Sequence, residues 1–278
     1  YGVIPAEMSP SWPEEALKAQ AVAARSYALH TSGKHKNDGY DVCTTTDCQV
    51  YKGYDGESAR TNDAVNATRG EVVTYKGEII LAAFHSASGG YTENSENVWN
   101  SAIPYLRGVP DFDQKSTQYG WSFQIKPADF SQKLQARGYS VGSIEKIELS
   151  PMEESPQKSS DRGVSGRVTD FKIYGSNKDV TISGATMRSM LGLKSTCFDL
   201  YVQEDPQGGM QQVEKAKNDW GSRRNAVLVI EGFGWGHGLG LSQWGAKYYA
   251  EQHSGEKNVY AKILTHYTGR IDCSDTVD

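Results

Sequence analysis

The segment behind the first dozen residues constrains the fold most, because it is an alanine-rich predicted helix. Helix formers fill residues 16–29, and Ser11 with Glu14 has the spacing of a capping box. We expect the helix to cover about residues 12–31. Alanines recur on one face, so another element can approach the helix backbone closely. The sequence therefore predicts a buried helix against which the other elements pack.

One acidic residue, Glu7, stands among the apolar residues 3–8 just ahead of this helix. Apolar surroundings favour the protonated carboxyl, which a general acid needs. The nearby helix N-terminus has the opposite effect, because its partial positive charge favours the ionised form. A lone glutamate in such a place is most often solvated or capping, so Glu7 is a candidate acid that needs support from the rest of the chain.

Composition limits the classes of function. The chain has 278 residues, 37% hydrophobic and 23% charged, which fits a single domain over residues 1–278 or two intimately packed lobes. A net charge of -5 gives no basic field for nucleic acid or an anionic membrane. No apolar run is long enough to span a bilayer, and no signal peptide is visible. Because the chain opens within a motif at Tyr1, we expect membrane contact only through a removed N-terminal anchor.

The cysteines form two sets, Cys43 with Cys48 and Cys197 with Cys273. Each set can form a disulfide, the first a local one and the second closing a long loop. If both are oxidised, the protein works outside the cytoplasm.

Zinc is the alternative use of the first cysteine set. His35, Cys43 and Cys48 supply three ligands, and the fourth position is left for water or Glu7. The spacing is looser than a CxxC motif and no second CxxC exists, so zinc and disulfides both stay open.

A hairpin and a polar loop follow a predicted helix at residues 58–68. EVVTY and EIILAAFH flank Lys76 and Gly77, a two-residue turn between strands. The hairpin ends in HSASGGYTENSENVW, whose hydroxyls and amides can line a polar pocket.

Beyond this loop, we expect strands near residues 121–123, 144–149 and 168–175 and at AVLVIEG, and helices at residues 127–138 and at ISGATMRSMLGL. The fold class predicted is α+β, with helices and mainly antiparallel strands around a substrate groove.

Glycines alternate with large side chains at residues 232–240, followed by a predicted helix from Leu241. No nucleotide-binding GxGxxG or Walker lysine is present, nor a GxSxG elbow. Such a loop can hold Trp235 and His237 rigidly beside a groove. Tryptophans such as Trp12, Trp99, Trp235 and Trp244 suit the apolar faces of sugars, although Trp and His are more often structural.

Taken together, these blocks resemble the stage II sporulation protein D family. The resemblance rests on PAEM with EALKAQAVAARSYAL, CQVYKG, FHSASGGYTEN with NVW, PYLRGVPD, SGRV, ISGATMR with LGL, GWGHGLGLSQWGA and HYTG, which span nearly the whole chain in order. It implies a lytic transglycosylase that cleaves the MurNAc-β-1,4-GlcNAc bond of peptide-stripped peptidoglycan and leaves 1,6-anhydroMurNAc ends. The implied setting is forespore engulfment, outside the cell membrane and anchored to it on the mother-cell side, with stage II sporulation proteins P and M as partners.

The resemblance also implies roles for residues. Glu7 would be the single acid, because this reaction needs one carboxyl where ordinary glycosidases pair two. No cofactor is required for the chemistry, and a zinc ion at His35, Cys43 and Cys48 would be structural or regulatory. Arg25 is a candidate to orient the acid or hold an N-acetyl group. Independently of the resemblance, Arg167 beside the small-residue turn Ser165-Gly166 is a candidate to bind an anion, although an exposed strand arginine is more often only solvated. The predicted substrate-binding residues are Arg25, Gln49, Tyr51, His85, Ser86, Ser88, Thr92, Arg167, Trp235, His237 and Gln243.

Two other functions stay open from the sequence. Amidase-enhancer relatives share the domain, so the chain could be a non-catalytic cell-wall module that activates an amidase. A zinc hydrolase is the weaker third hypothesis.

Overall fold

The computed structural model describes residues 1–204, 209–213, 223 and 225–269, and the backbone of 272–275. The helices are α1 (Ile4–Glu7), α2 (Glu14–His30), α3 (Ala59–Ala67), α4 (Glu96–Trp99), α5 (Pro127–Ala136), α6 (Gly184–Leu191), α7 (Gln243–Gln252) and α8 (Val259–Thr268), with short 3-10 helices at Lys36–Asp38, Tyr54–Gly56 and Asp113–Lys115. The strands are β1 (Glu71–Tyr75), β2 (Glu78–Ile79), β3 (Phe84–His85), β4 (Gly120–Ile125), β5 (Ile144–Glu148), β6 (Asp170–Gly175), β7 (Val180–Ser183), β8 (Phe198–Gln203), β9 (Met210–Gln212), β10 (Val227–Phe233), β11 (Leu241–Ser242) and β12 (Asp272–Asp275).

The predicted central helix is present as α2. Five of its six alanines are buried, and α3, α7, α8 and β1 pack around it. The predicted capping box is wrong: the helix N-cap is Pro13, without a side-chain cap, and Glu14 instead pairs with Lys18. An unpredicted turn of helix, α1, precedes it and ends at Glu7.

Strands pair antiparallel in three sheets, in the orders β12-β1-β2, β4-β10-β8-β9 and β5-β6-β7. The predicted hairpin is confirmed, with Thr74 opposite Ile79 and positive φ at both Lys76 and Gly77. The one parallel pair among the described strands joins β3 to β11, which are far apart in sequence. The predicted α+β class with mainly antiparallel strands is therefore confirmed.

Two predicted helices start later than expected, because short strands come first. In ISGATMRSMLGL, the first residues belong to β7, and Ser183 caps α6 by accepting a hydrogen bond from Thr186 N at 3.0 Å. Likewise, Leu241 and Ser242 form β11, and Ser242 caps α7. The side chain of each serine accepts a hydrogen bond from one of the backbone N–H groups that have no partner within the first turn of a helix.

Apolar residues are buried in two large clusters. One surrounds α2 with α3, α7 and α8, and the other fills the space between the β4-β10-β8-β9 and β5-β6-β7 sheets and α5. Between them lies a small cluster of Ala83, Leu106 and Leu239. The division into one domain or two lobes stays a prediction. In the part of the chain that the structure describes, no helix is both long and apolar enough to cross a bilayer.

The candidate site is held by the glycine-rich loop between β10 and β11. Gly234 adopts φ 71°, and its backbone runs so close to Ala87 and Ser88 that a Cβ there would collide with them. Backbone hydrogen bonds between Trp235 and Ala87 fix the loop against the segment behind β3. The loop and β3 therefore form one rigid wall.

Candidate functional site

A cavity of about 820 Å³ opens between the helical cluster and the glycine-rich loop. Its walls come from α1, α2, the loop behind α2, β3, α4, α6, the glycine-rich loop and the start of α7. The residues that line it are Glu7, Tyr27, Thr31, Lys34, Thr46, Asp47, Cys48, Leu81, Ala83, Phe84, His85, Ser86, Trp99, Arg188, Trp235, Gly236, His237 and Gln243. Segments from both ends of the sequence thus meet at one opening.

Glu7 is held at the cavity wall by two donors. Val50 N donates to its Oε1 and Gln243 Nε2 to its Oε2, each at 3.0 Å. The first donor comes from the loop behind α2 and the second from the first residue of α7. Each carboxyl oxygen has two lone pairs, so both oxygens keep acceptor capacity towards the cavity.

His85 lines the cavity wall, and one of its ring nitrogens has no hydrogen-bond partner among the described residues. It is 5% exposed, and its Nδ1 lies 3.1 Å from Leu239 O, which requires the proton on Nδ1. Its Nε2 is buried without a partner among the described residues. Burial chiefly, and then His237 and Arg167, lower the pKa of His85 well below its usual value. His85 is therefore neutral, and its buried Nε2 is an unused acceptor.

His237 lines the same wall but has no free nitrogen. Its Nε2 donates to Phe84 O at 3.0 Å, and its Nδ1 accepts from Leu239 N at 3.0 Å. Burial first, and Arg167 next, lower its pKa to about 4. His237 is thus a neutral scaffold residue, and its ring packs against Trp99 with centroids 5.4 Å apart.

Two tryptophans give the cavity flat apolar surfaces. Trp235 is 46% exposed, with Lys194 Nζ 5.1 Å from its ring centroid, and Trp99 lies beside His237. By contrast, Trp12 and Trp244 pack on each other at 4.8 Å and do not line the cavity. Two of the four tryptophans considered for sugar stacking are therefore in position.

A four-residue cluster beside the cavity has the composition of a metal site. The ligand atoms of His35, Cys43, Asp47 and Cys48 all lie within 4.8 Å of one another, with Cys48 Sγ and Asp47 Oδ2 at 3.3 and 3.2 Å from His35 Nε2. Two sulfurs, one imidazole nitrogen and one carboxylate oxygen fit the tetrahedral preference of zinc. The sequence reasoning missed Asp47 as the fourth ligand, although it directly precedes Cys48.

The two thiols of this cluster differ in acidity. Hydrogen bonding to Thr45 chiefly lowers the pKa of Cys43 to about 7, whereas burial raises that of Cys48. Both are free thiols, as is buried Cys197, and the alternative Cys197–Cys273 disulfide involves a side chain outside the described residues. A thiol that ionises near neutral pH suits a metal ligand.

Three predicted binding residues support the site from outside the cavity. Arg25 Nη1 donates to Thr68 O and Glu71 O at 2.8 and 2.7 Å, which ties α3 to β1. Gln49 Nε2 donates to Ala24 O at 2.7 Å and fixes the loop behind α2. Tyr51 packs against Gly2. The structure does not bring Arg25 to Glu7, because its guanidinium is occupied by these carbonyls.

Three more predicted binding residues lie behind the wall. Ser88 donates to Asp111, and Thr92 Oγ1 accepts from Val109 N at 2.8 Å. Arg167 is 2% exposed and donates to His237 O at 3.2 Å and Ser88 O at 3.0 Å. It supports the glycine-rich loop rather than binding a ligand from the cavity. The sequence analysis selected these three residues for their polar side chains. In the folded protein, those side chains hydrogen-bond to other parts of the chain behind the wall.

Comparison with known proteins places the chain in a class. A family profile described as Stage II sporulation protein matches residues 1–75, which contain Glu7 and the cysteine cluster. A second profile, described only as a domain of unknown function, matches residues 104–240. The first profile thus places residues 1–75 among the stage II sporulation proteins.

Individual relatives narrow this class. Stage II sporulation protein D of Bacillus amyloliquefaciens is 31% identical over 290 residues, covering 99% of this chain and 72% of that protein. The chain belongs to the stage II sporulation protein D family. An uncharacterized protein of Brachyspira hyodysenteriae is 34% identical over 99% of this chain, and the amidase enhancer of Bacillus subtilis is 32% identical over 96% of it. The chain spans 65% and 39% of the lengths of these two relatives.

Proposed function

We propose that this protein is a lytic transglycosylase that cleaves the MurNAc-β-1,4-GlcNAc bond of peptide-stripped glycan strands. The observation that carries the proposal is Glu7. Of the two carboxylates among the described lining residues, Asp47 is engaged by Lys34 and His35, at 2.9 and 3.2 Å. Glu7 stands apart from this charged cluster, and Val50 and Gln243 hold its carboxyl at the cavity wall. One lining carboxyl outside the cluster fits a one-acid reaction better than a two-carboxylate hydrolysis.

In the proposed reaction, Glu7 transfers its proton to the glycosidic oxygen, and the bond from that oxygen to C1 of the muramic sugar breaks. The carboxylate then takes the proton of the muramic C6 hydroxyl as that oxygen bonds to C1. The proton lost in the first step is regained in the second, and no water is consumed. Val50 and Gln243 hold the carboxyl in one orientation for both steps.

The walls suit an amino sugar. Trp99 and Trp235 can pack against pyranose faces. Ser86 adds a hydroxyl at the same wall. Together these groups support glycan binding beside Glu7.

We also propose a structural zinc ion at His35, Cys43, Asp47 and Cys48. When bound, it would tie the loop behind α2 together, and the transglycosylation steps would not pass through it. Metal emission spectroscopy of the purified protein should show one zinc ion per chain. Removal of the ion with a chelator should lower the Tm of the protein. Asp47→Asn should weaken zinc binding, whereas Asp41→Asn, an exposed change in the same loop, should not. A metal-free protein with unchanged Tm would refute the zinc proposal.

The cellular setting belongs to the same proposal. Named relatives act in sporulation, which supports a role in forespore engulfment, outside the membrane and anchored to it, with stage II sporulation proteins P and M as partners. An amidase would act first, because the substrate lacks stem peptides. Co-purification from membranes of engulfing cells tests the partners and the location together.

The similarity to an amidase enhancer favours one second candidate, a non-catalytic module that activates an amidase. Digestion of purified peptide-free glycan by wild type and Glu7→Ala, with mass spectrometry of the ends, separates the two. Anhydro ends that disappear in the variant support the enzyme. Binding without cleavage by either protein supports the module, and reducing ends that require metal support a zinc hydrolase.

A further inference from the structure

We infer that Arg188 binds the carboxylate of a muramic sugar and so makes the cleft selective for glycan whose stem peptides have been removed. The inference rests on the proposed function and names the residue behind its substrate preference. In the sequence, Arg188 belongs to the ISGATMR block and has no predicted role of its own.

Arg188 has donors to spare. It lies on α6, and its Nε donates to Leu193 O at 3.3 Å just beyond the helix end. A guanidinium carries five N–H donors, and the described residues supply no partner for the other four. No carboxylate among them forms an ion pair with Arg188 either. The end of this half-buried side chain is therefore free to bind a ligand.

The location of Arg188 is at the junction of two cavities. It lines the 820 Å³ cavity that contains Glu7, and also a neighbouring cavity of about 350 Å³. His237 is the other residue that both cavities share. A glycan that passes Glu7 and continues into the second cavity would thus have to pass Arg188.

A second arginine, Arg167, adds positive charge to the surroundings of Arg188. Arg167, buried behind His237, is close enough to lower the pKa of Arg188, and burial lowers it more. Both arginines also lower the pKa of His237, which stays neutral. Among the described residues, neither arginine has a carboxylate within ion-pair distance. An anion bound at Arg188 would therefore relieve repulsion and satisfy unused donors.

The anion that fits best is a sugar carboxylate. A guanidinium fork matches a carboxylate with two parallel hydrogen bonds, and the rings of Trp99 and Trp235 on the same cavity suit the sugar that carries it. In a muramic sugar, the lactyl carboxylate is free only when no stem peptide is attached, because the peptide converts it to an amide. Arg188 would then favour glycan without stem peptides, because its positive charge attracts the free carboxylate. The bulk of a stem peptide would also oppose binding.

A purely structural role is the rival explanation, since a cation near a helix C-terminus stabilises the helix. The two roles differ in their dependence on the ligand. A structural role predicts that Arg188→Gln changes stability, or the binding of every glycan alike. Carboxylate recognition predicts an effect only on glycans with a free carboxylate.

The test measures binding in a Glu7→Gln background, so that no cleavage occurs. The ligands are the peptide-free tetrasaccharide (GlcNAc-MurNAc)2 and the same molecule with its carboxyl groups reduced to alcohols. With Arg188 present, calorimetry should give a Kd roughly tenfold lower for the acid form. Arg188→Gln should abolish that difference and leave binding of the reduced form unchanged. Arg188→Lys should restore part of it, and Arg69→Gln, an exposed control, should have no effect.

Equal affinity for the two forms, no binding of either, or equal weakening of both by Arg188→Gln would overturn the inference. The proposed function is tested separately by cleavage with intact Glu7. Carboxylate-dependent binding without cleavage would refute the enzyme and keep the inference. Cleavage of both glycan forms at equal rates, with equal affinities, would support the enzyme and overturn the inference about Arg188.

Discussion

Glu7 and Glu93 are both held by hydrogen bonds, yet they differ in what those bonds leave free. Glu93 is 0% exposed and accepts from five donors: Asn94 N, Asn97 Nδ2, Val164 N, Ser165 N and Ser165 Oγ. Glu7 accepts from two donors and lines the main cavity. Glu93 is thus saturated and sealed, whereas Glu7 keeps capacity for a ligand.

The comparison shows that burial and a dense hydrogen-bond network do not by themselves mark a catalytic group. The network at Glu93 joins the polar loop behind β3 to residues 163–165, and so fixes the wall that carries His85. Function here needs a carboxyl that is oriented but not saturated. Changes at Glu7, Glu93, His237 and Gln243 should therefore affect activity and stability differently.

Glu7→Gln should reduce cleavage of peptide-free glycan by roughly a thousandfold, because the amide cannot donate and recover a proton. Its free energy of unfolding should change by less than about 1 kcal/mol, since Glu7 has only two partners at a solvent-accessible wall. Glu78→Gln, an exposed change on β2, is the matched control and should retain full activity. Retained cleavage in Glu7→Gln would remove the basis for the contrast with Glu93.

Glu93→Gln should lower the free energy of unfolding by about 3 kcal/mol, because the new amide N–H₂ meets backbone donors in a sealed site. Urea unfolding measures the change. Glu96→Gln, which breaks a partly exposed pair with Arg107, should cost less than about 1 kcal/mol. Equal stability losses in the two variants would contradict the description of Glu93 as a sealed structural group.

His237 should make the folded state less stable in acid. Its pKa is about 4 in the folded protein, where burial and Arg167 oppose protonation, while the unfolded chain takes up a proton near pH 6.5. Stability should therefore be fully present above pH 6.5 and fall as the pH drops towards 4, by at most about 3 kcal/mol from this residue. Urea unfolding at several pH values should show a shallower decline for His237→Gln. An unchanged slope would contradict the prediction.

Gln243→Ala should lower the cleavage rate by about tenfold, because it removes one of the two donors that orient Glu7. KM should change little, since Gln243 contacts the acid. Gln252→Ala at the other end of α7 is the control and should match wild type. A loss expressed only in KM would point to substrate contact in place of orientation.

Local patterns predicted the fold well where one segment determined its own structure. The α2 helix, the Lys76-Gly77 turn and the buried β10 strand follow from composition and periodicity. The short strands β3 and β11 could not be predicted in this way. They exist because the glycine-rich loop brings Leu241 beside Phe84, a contact across more than half the chain.

The candidate site was predictable in part, where local sequence motifs contain its residues. Glu7, His85, Ser86, Trp235, His237 and Gln243 were selected from motifs and do line the cavity. Arg188 was missed as a site residue, because only the folded chain puts it at a junction of cavities. Asp47 was missed although it directly precedes Cys48 in the sequence. Arg25 and Arg167 were selected for their chemistry, and their actual partners are backbone carbonyls.

Digestion of peptide-free glycan in oxygen-18 water tests the central claim most directly. If Glu7 acts alone as acid and then base, mass spectrometry should find 1,6-anhydro ends that contain no oxygen-18, and Glu7→Gln should yield none of these ends. New reducing ends that carry oxygen-18, or anhydro ends formed equally by the variant, would contradict the account.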